Sequence, residues 1–389
     1  MNSAETHGYG QPMLRTRLDA VLDRALEEQR IVGGVVLVAH RGEQVYGRAA
    51  GLADREARAP MSEDSIFLLA SVTKPIVTAT AMRLIEEGRL GLDDSVTRWL
   101  PDFIPRLPDG RVPMITVRHL LTHTAGLTYR SFEPADSPYN SLGISDGLDQ
   151  PGLSLAENLQ RLAKAPLVYE PGTSWRYSLA TDVLGAVIAK ASQAPLQEVV
   201  RGLITNPLGM KDTDFVVVDP ARLVAHYADG TPAPVRMTDG TTIPLFGAPL
   251  TFVPSRIFNR SSYASGGAGM AGTAHDVLRF FETVRIGCDG LLRASTWEQM
   301  LAAHVGPSAE TFGPGWGFGL GWAVLDDPKL AATPQPKGTI LWGGVYGHSW
   351  FVDRANALSV VVLTNTAFEG MSGALPVEIR DVIYNVLQG

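Results

Sequence analysis

Ser71-Val72-Thr73-Lys74 sets a hydroxyl and an amine three residues apart. On a helix that spacing puts both groups on one face, one turn apart. A serine hydroxyl is a poor nucleophile until a base takes its proton. A lysine can be that base only when neutral. Burial lowers a lysine's pKa by up to about 3–5 units, and a helix N-terminus pushes the same way. The flanks suit such a placement. Ile66-Phe67-Leu68-Leu69-Ala70 precedes the motif, and an amphipathic segment with Ile76, Met82, Leu84 and Ile85 follows it. An N-cap serine followed by a solvated lysine gives the same spacing, so the motif needs company.

Two further segments supply it. Trp175-Arg176-Tyr177-Ser178 follows the turn Glu170-Pro171-Gly172-Thr173, and Tyr177 opens the helical run Leu179–Ala191. A tyrosine beside a lysine can pass a proton to a leaving group; in isolation it reads as a core residue. The segment Leu341-Trp342-Gly343-Gly344-Val345-Tyr346-Gly347-His348-Ser349-Trp350 carries glycines inside a strand. Such glycines mark a bulge or the close approach of a backbone or ligand. A substrate lying along that edge could meet an N–H aimed at an oxyanion. Packing against another element would produce the same glycines.

The surrounding elements follow from periodicity. Leu14, Leu18, Val21, Leu22 and Ala25 recur at helical spacing, so residues 13–30 read as an amphipathic helix. Gly33–His40 and Gln44–Ala50 flank Arg41-Gly42-Glu43 as a hairpin. A second strand set, Thr339–Val352 and Leu358–Asn365, is joined by Asp353-Arg354-Ala355-Asn356 and followed by a helix over about 373–387. The two chain ends are thus expected to build one antiparallel sheet covered by helices. Between them, Ser71–Glu87, Thr116–His123, Ser154–Ala163 and Leu179–Ala191 read as helices separated by Pro- and Gly-rich loops. Residues 220–270 read mostly as loop. The expected division is a sheet domain, 1–70 with 215–389, and a mainly helical domain, 71–214, with the active site in the cleft between them.

Bulk properties narrow the function classes. A chain of 389 residues with 45% hydrophobic and 19% charged residues is ordinary for a globular protein. Net charge is −7, and no basic run occurs, which argues against nucleic acid and anionic membranes as partners. No apolar run approaches the roughly 20 residues of a membrane span, and the first residues do not read as a signal peptide. The expectation is a cytoplasmic protein. The single cysteine, Cys288, excludes an internal disulfide and sits in what reads as a turn, Ile286-Gly287-Cys288-Asp289-Gly290.

In this order, Ser71-x-x-Lys74, Tyr177 and the late glycine strand resemble the penicillin-recognising serine hydrolases, which include class C β-lactamases and D-alanyl-D-alanine carboxypeptidases. Leu120-Leu121-Thr122-His123-Thr124-Ala125-Gly126-Leu127 and Pro207-Leu208-Gly209-Met210 are typical of the same group. In detail, and over nearly the whole chain, the sequence is similar to the family VIII carboxylesterases, through Leu69 to Pro75, Trp342 to Asp353 and Leu363 to Ala367. The resemblance implies an α+β fold with an antiparallel sheet flanked by helices and an inserted helical domain. It implies an acyl-enzyme on Ser71, with Lys74 and Tyr177 moving the proton and the N–H groups of Ser71 and Val345 holding the oxyanion. No metal or cofactor is implied, and the partner is a small-molecule ester.

The departures from the lactamase pattern bear on substrate. Ser178-Leu179 follows Tyr177 where lactamases carry Y-x-N, and Trp342-Gly343-Gly344 stands where they carry K-T-G. A lysine there would bind a carboxylate by charge; Trp342 removes that cation and offers a flat apolar wall, with Gly343 and Gly344 beside it. The site is therefore expected to take neutral esters, with acyl transfer or lactam and peptide hydrolysis as alternatives. Tyr129 reads as a wall or gate of the pocket, or equally as a loop tyrosine.

Other patterns carry less. There is no G-x-S-x-G. Gly267-x-Gly269-x-x-Gly272 matches a dinucleotide fingerprint without a preceding strand. His119 and His123 have a metal-ligand spacing without a third ligand and read as packing or capping histidines. His348 reads as structural. Lys337-Gly338-Thr339 lies near the glycine strand but out of order.

Overall fold

The structure, a computed structural model, describes residues 5–244, 248–287 and 290–388; Cys288 lies outside the described residues. The first helix, α1 (Glu5–Glu27), buries Leu14, Leu18, Val21, Leu22 and Ala25, the stripe expected from the sequence. It starts earlier than the periodicity suggested and carries Pro12 inside. Strands β1 (Gly33–His40) and β2 (Glu43–Asp54) form the expected hairpin, and β2 runs on to pair with β3 (Ala59–Pro60). Successive side chains of β1 enter opposite cores. Val35, Leu37 and Ala39 face one, Val36 and Val38 the other, so the strand reads as an unbroken apolar run.

The chain then leaves the sheet. Strand β4 (Phe67–Leu68) leads into α2 (Thr73–Glu86), and α3 (Val117–Leu121), α4 (Pro138–Ser141), α5 (Leu155–Lys164), α6 (Ala180–Ser192) and α7 (Leu196–Val200) follow. Residues 220–270, read as loop, hold two short hairpins, β5 (Tyr227–Ala228) with β6 (Val235–Arg236) and β7 (Thr241–Ile243) with β8 (Leu250–Phe252). Strand β9 (Ala271–Gly272) returns to pair with β4, and α8 (Ala274–Ile286) and α9 (Ala294–Leu301) follow.

The last part completes the sheet with β10 (Trp316–Phe318), β11 (Ala323–Leu325), β12 (Ile340–Gly344), β13 (His348–Asp353) and β14 (Leu358–Thr364), before α10 (Glu369–Ser372) and α11 (Ala374–Gln388). The sheet order is β10-β11-β12-β13-β14-β1-β2-β3, antiparallel throughout, so both chain ends share one sheet as expected. Helices α1 and α11 cover one face, and α8 packs on the other. The stretch Thr339–Val352, read as a single run, folds back on itself at Val345-Tyr346-Gly347. Gly347 allows this with φ +109°, and an added Cβ would lie 2.0 Å from the Thr366 carbonyl oxygen. Strands β10 and β11 were not anticipated, because three-residue strands leave almost no periodic signal.

Candidate active site

Ser71 lies in a 3-10 turn, Ala70–Val72, that joins β4 to α2. Ala70 has φ +44°, a left-handed conformation that costs a non-glycine residue about 1–3 kcal/mol and persists only where the surroundings enforce it. They do so here. The Leu69 N–H donates to the Met270 carbonyl at 2.8 Å, and the Met270 N–H donates to Thr73 Oγ1 at 3.2 Å. His348 Nε2 donates to the Leu68 carbonyl at 2.9 Å, which ties β13 to the strand before the nucleophile. Burial pushes the His348 imidazole down to about 4, so it is neutral at ordinary pH and holds backbone rather than abstracting protons.

Lys74 stands on the first turn of α2, and only 1% of its surface is exposed. Its Nζ donates to Ser71 Oγ at 3.0 Å and to the Gly267 carbonyl at 2.7 Å. The solvated-lysine reading is thereby excluded. The loop carrying Gly267 is itself anchored. Ser265 Oγ donates to Asp182 Oδ1 on α6 at 2.6 Å and accepts from the Ala268 N–H at 3.0 Å. Burial pushes the Asp182 carboxyl above its ordinary range, while the nearby Lys74 charge and the Ser265 bond pull it back. A Cβ on Gly267 would lie 2.6 Å from Asp182 Oδ2. The glycine is there to let this loop reach Lys74, which accounts for part of the apparent dinucleotide fingerprint.

The Tyr177 hydroxyl donates to Ser71 Oγ at 2.7 Å. Ser71 Oγ therefore touches an amine and a phenol at once, the two groups its proton could move to. Lys74 Nζ lies 4.7 Å from the centre of the Tyr177 ring and 5.6 Å from that of Tyr129. Tyr129 is buried, its ring 5.2 Å from that of Tyr177, and burial pushes its phenol well up. Its ring thus packs beside the two groups that reach the serine. The Trp342 ring, on β12, lies 4.9 Å from that of Tyr177, tilted by 50°, and donates its Nε1–H to the Tyr177 hydroxyl at 3.2 Å.

The end of β12 abuts the nucleophile turn. A Cβ on Gly344 would lie 2.7 Å from the Leu69 carbonyl oxygen and 3.4 Å from Val72, so only glycine permits this approach. Gly343 is equally crowded, against the His348 carbonyl and Met371. Val345 is the next residue after the strand. Among the described residues, neither its N–H nor that of Ser71 donates to a protein acceptor.

The remaining sequence candidates lie elsewhere or serve structure. His119 Nδ1 accepts from the Thr116 N–H in a capping box at the start of α3. His123 is buried, its Nδ1 3.2 Å from Ser178 Oγ and its ring 4.9 Å from that of Tyr177. Burial and the Lys74 charge hold it well below the ordinary histidine range. Among the described residues no group of three His, Cys, Asp or Glu could hold a metal ion. Lys337 is exposed and paired with Asp326 at 2.6 Å. Sequence reasoning missed the Gly267 carbonyl, Asp182, Ser265 and the polar role of Trp342. The crowded glycines of 266–272 were the only signal for the first of these.

Comparison with known proteins identifies the family and the fold. The family model described as Beta-lactamase matches residues 18–382. The chain is 56% identical to Esterase EstB of Burkholderia gladioli over 374 residues, 95% of each chain. The solved structure of EstCE1, described as a hydrolase with promiscuous acyltransferase activity, superposes with a TM-score of 0.94 at 51% identity, covering 96% of this chain and 99% of that one. Simvastatin synthase LovD from Aspergillus terreus shares the fold at 22% identity with a TM-score of 0.77, covering 95% and 98%. With a strained serine turn, a buried lysine and a tyrosine converging on one oxygen, and a family model spanning almost its whole length, this chain belongs to the beta-lactamase family.

Proposed function

We infer that the protein is a serine carboxylesterase acting on neutral esters through a covalent acyl-enzyme. The observation that carries this reading is the position of Ser71 Oγ, 3.0 Å from Lys74 Nζ and 2.7 Å from the Tyr177 hydroxyl, next to an indole rather than a cation. Ser71 attacks the ester carbonyl while its proton passes to the Lys74–Tyr177 pair. The N–H groups of Ser71 and Val345 hold the tetrahedral oxyanion; one such donor is typically worth about 3–4 kcal/mol of barrier. The pair then protonates the departing alkoxide. Water, activated by the same pair, attacks the acyl-enzyme and releases the acid.

The preference for neutral substrates rests on Trp342. Among the described residues, the amine nearest the nucleophile is Lys74, and its bonds go to Ser71 and Gly267. The rings of Tyr129, Phe132 and Trp342 gather around Tyr177, which itself touches the serine. The test is turnover of p-nitrophenyl butyrate beside that of a chromogenic cephalosporin. We expect ester hydrolysis that Ser71→Ala abolishes, with the cephalosporin ring far slower. Turnover retained by Ser71→Ala, or a lactam preferred over the ester, contradicts the reading.

A second reading, acyl transfer, draws on the EstCE1 relative. It predicts that added alcohol diverts the acyl group from acid to new ester, measurable as a product ratio. The reading extends to a cytoplasmic setting with a small-molecule ester as the partner. The absence of a basic run supports leaving out nucleic acid and anionic membranes, and among the described residues no helix is long and apolar enough to cross a membrane.

A further inference from the structure

We propose that the Trp342 indole N–H is a positioning group for proton transfer at Ser71, so that this side chain does more than wall the pocket. The proposal rests on the esterase reading and deepens it.

Trp342 Nε1–H donates to the oxygen of the Tyr177 hydroxyl, 3.2 Å away, and that hydroxyl in turn donates to Ser71 Oγ at 2.7 Å. A phenolic oxygen carries one proton and rotates freely about its C–O bond. With an N–H occupying one side of the oxygen, the phenolic proton is directed to the other side, toward the serine. When Ser71 forms its bond to the acyl carbon, its proton enters the Lys74–Tyr177 pair through the unshared electrons of Lys74 Nζ, 3.0 Å away, because the phenolic proton already points at the serine. When the alkoxide leaves, it takes a proton from that pair. Any negative charge that develops on the Tyr177 oxygen in between is met by a fixed donor. The indole proton never transfers.

The donor is held in place from several sides. The Trp342 ring meets Phe318 edge-on, at 90° and 5.5 Å, and lies 5.9 Å from Phe312 and 4.9 Å from Tyr177. Its backbone pairs with Trp350 on β13. A clamped ring aims its N–H without paying rotamer entropy at each turnover. The choice of residue then has a chemical meaning. A lysine could also donate to Tyr177, but it would place a cation where a substrate carboxylate could bind. Tryptophan keeps the donor and discards the charge.

Other ionisable groups face Tyr177 too. Lys74 lies over its ring, His123 and Tyr129 pack against it, and Asp182 lies beyond Lys74. The adjacent Arg176 is paired with Glu133 at 3.1 Å. Removing the indole N–H leaves all of these in place, so a change in pH dependence reports the donor itself.

The experiment compares Trp342→Phe with replacement of Trp342 by 3-benzothienylalanine, which keeps the bicyclic shape and swaps N–H for sulfur. Hydrogen bonds to charged groups contribute about 1.5–3 kcal/mol, or about 10- to 100-fold in rate. We expect both variants to lose about 10- to 100-fold in kcat on p-nitrophenyl butyrate. The benzothienyl variant should keep KM within about twofold of the parent, since it keeps the wall. The rising limb of the pH–rate profile should move to higher pH in both. The rate at which a p-nitrophenyl phosphonate modifies Ser71 should fall by the same factor. Parental kcat and pH profile in the benzothienyl variant would overturn the proposal and leave Trp342 as a wall. If the parent protein reacts with the phosphonate but does not hydrolyse the ester, the esterase reading fails, and the phosphonylation rates still decide the role of Trp342.

Discussion

At the residue scale, the chemistry reduces to one oxygen with two proton partners. Ser71 Oγ touches Lys74 and Tyr177, and each partner is fixed by a second contact, Gly267 for the lysine and Trp342 for the tyrosine. General acid–base groups contribute about 10²- to 10⁴-fold. Tyr177→Phe should therefore lower kcat/KM for a butyrate ester by at least about 10²-fold while leaving Ser71 in place, as measured by steady-state kinetics. Gly267→Ala tests the support of the lysine. Its Cβ would fall 2.6 Å from Asp182 Oδ2 and 3.5 Å from Lys74 Nζ, so the loop must withdraw. We expect about 10-fold or greater loss in kcat with a modest loss in Tm; unchanged kinetics would show that Lys74 does not depend on the Gly267 carbonyl.

These residues differ in how far the sequence revealed them. Ser71 and Lys74 sit one helical turn apart, so local spacing alone placed them together. Tyr177 is 106 residues from Ser71 and the Gly267 carbonyl is 193 from Lys74. No periodicity encodes such contacts, and Tyr177 was found only because its order in the chain resembles a known pattern. Asp182 looked like any first-turn helix carboxylate. Trp342 was read for its shape and missing charge, while its N–H bond became visible only once β12 and the Tyr177 loop were in register.

At the element scale, the site depends on a strand end meeting a strained turn. Gly344 brings β12 against Leu69 and Val72, and Gly347 turns the chain back so that His348 can reach the Leu68 carbonyl. Gly344→Ala would force atoms apart at a backbone contact of 2.7 Å. Overpacking of this kind costs about 1–3 kcal/mol of stability. The larger effect should be on rate, since moving the strand end moves the Val345 N–H. A loss of about 10²-fold in kcat with the fold retained is expected, and thermal unfolding alongside kinetics separates the two effects. The major helices and the inner strands β1, β2 and β14 were legible because each carries an amphipathic or apolar stripe. The fold-back within residues 339–352 was hidden because both arms are apolar and only the Gly347 conformation marks the turn. The division into 1–70 with 215–389 and 71–214 stands as a proposal. One hydrophobic core joins β1 to α2 and α6 across it, so the two parts should unfold together in denaturant.

At the scale of the whole molecule, buried histidines tie stability to pH. His348 is pushed down to about 4 and His226 to about 3, both by burial. In the unfolded chain each titrates near 6.5. The stability they allow is therefore fully present above pH 6.5 and is lost as pH falls toward 4, because only the unfolded chain can take up those protons. Over the fall from pH 6.5 to pH 4 this amounts to about 3 kcal/mol per group. Asp146 and Asp229, pushed up to about 6 by burial, act in the opposite direction between pH 6 and 4. The informative quantity is thus a difference. His226→Gln should flatten the pH dependence of denaturant-measured stability between pH 6.5 and 4 relative to the parent. An identical slope would show that His226 is not neutral and buried as described.

The account stands or falls on the nucleophile. The most direct measurement is intact mass after incubation with a small p-nitrophenyl phosphonate, followed by peptide mapping. A serine whose oxygen is held by an amine and a phenol at 3.0 Å or less should react alone. The account predicts one adduct per chain, on Ser71, formed faster as pH rises and absent in Ser71→Ala. No adduct, or an adduct on Ser349 or Ser372, would contradict it.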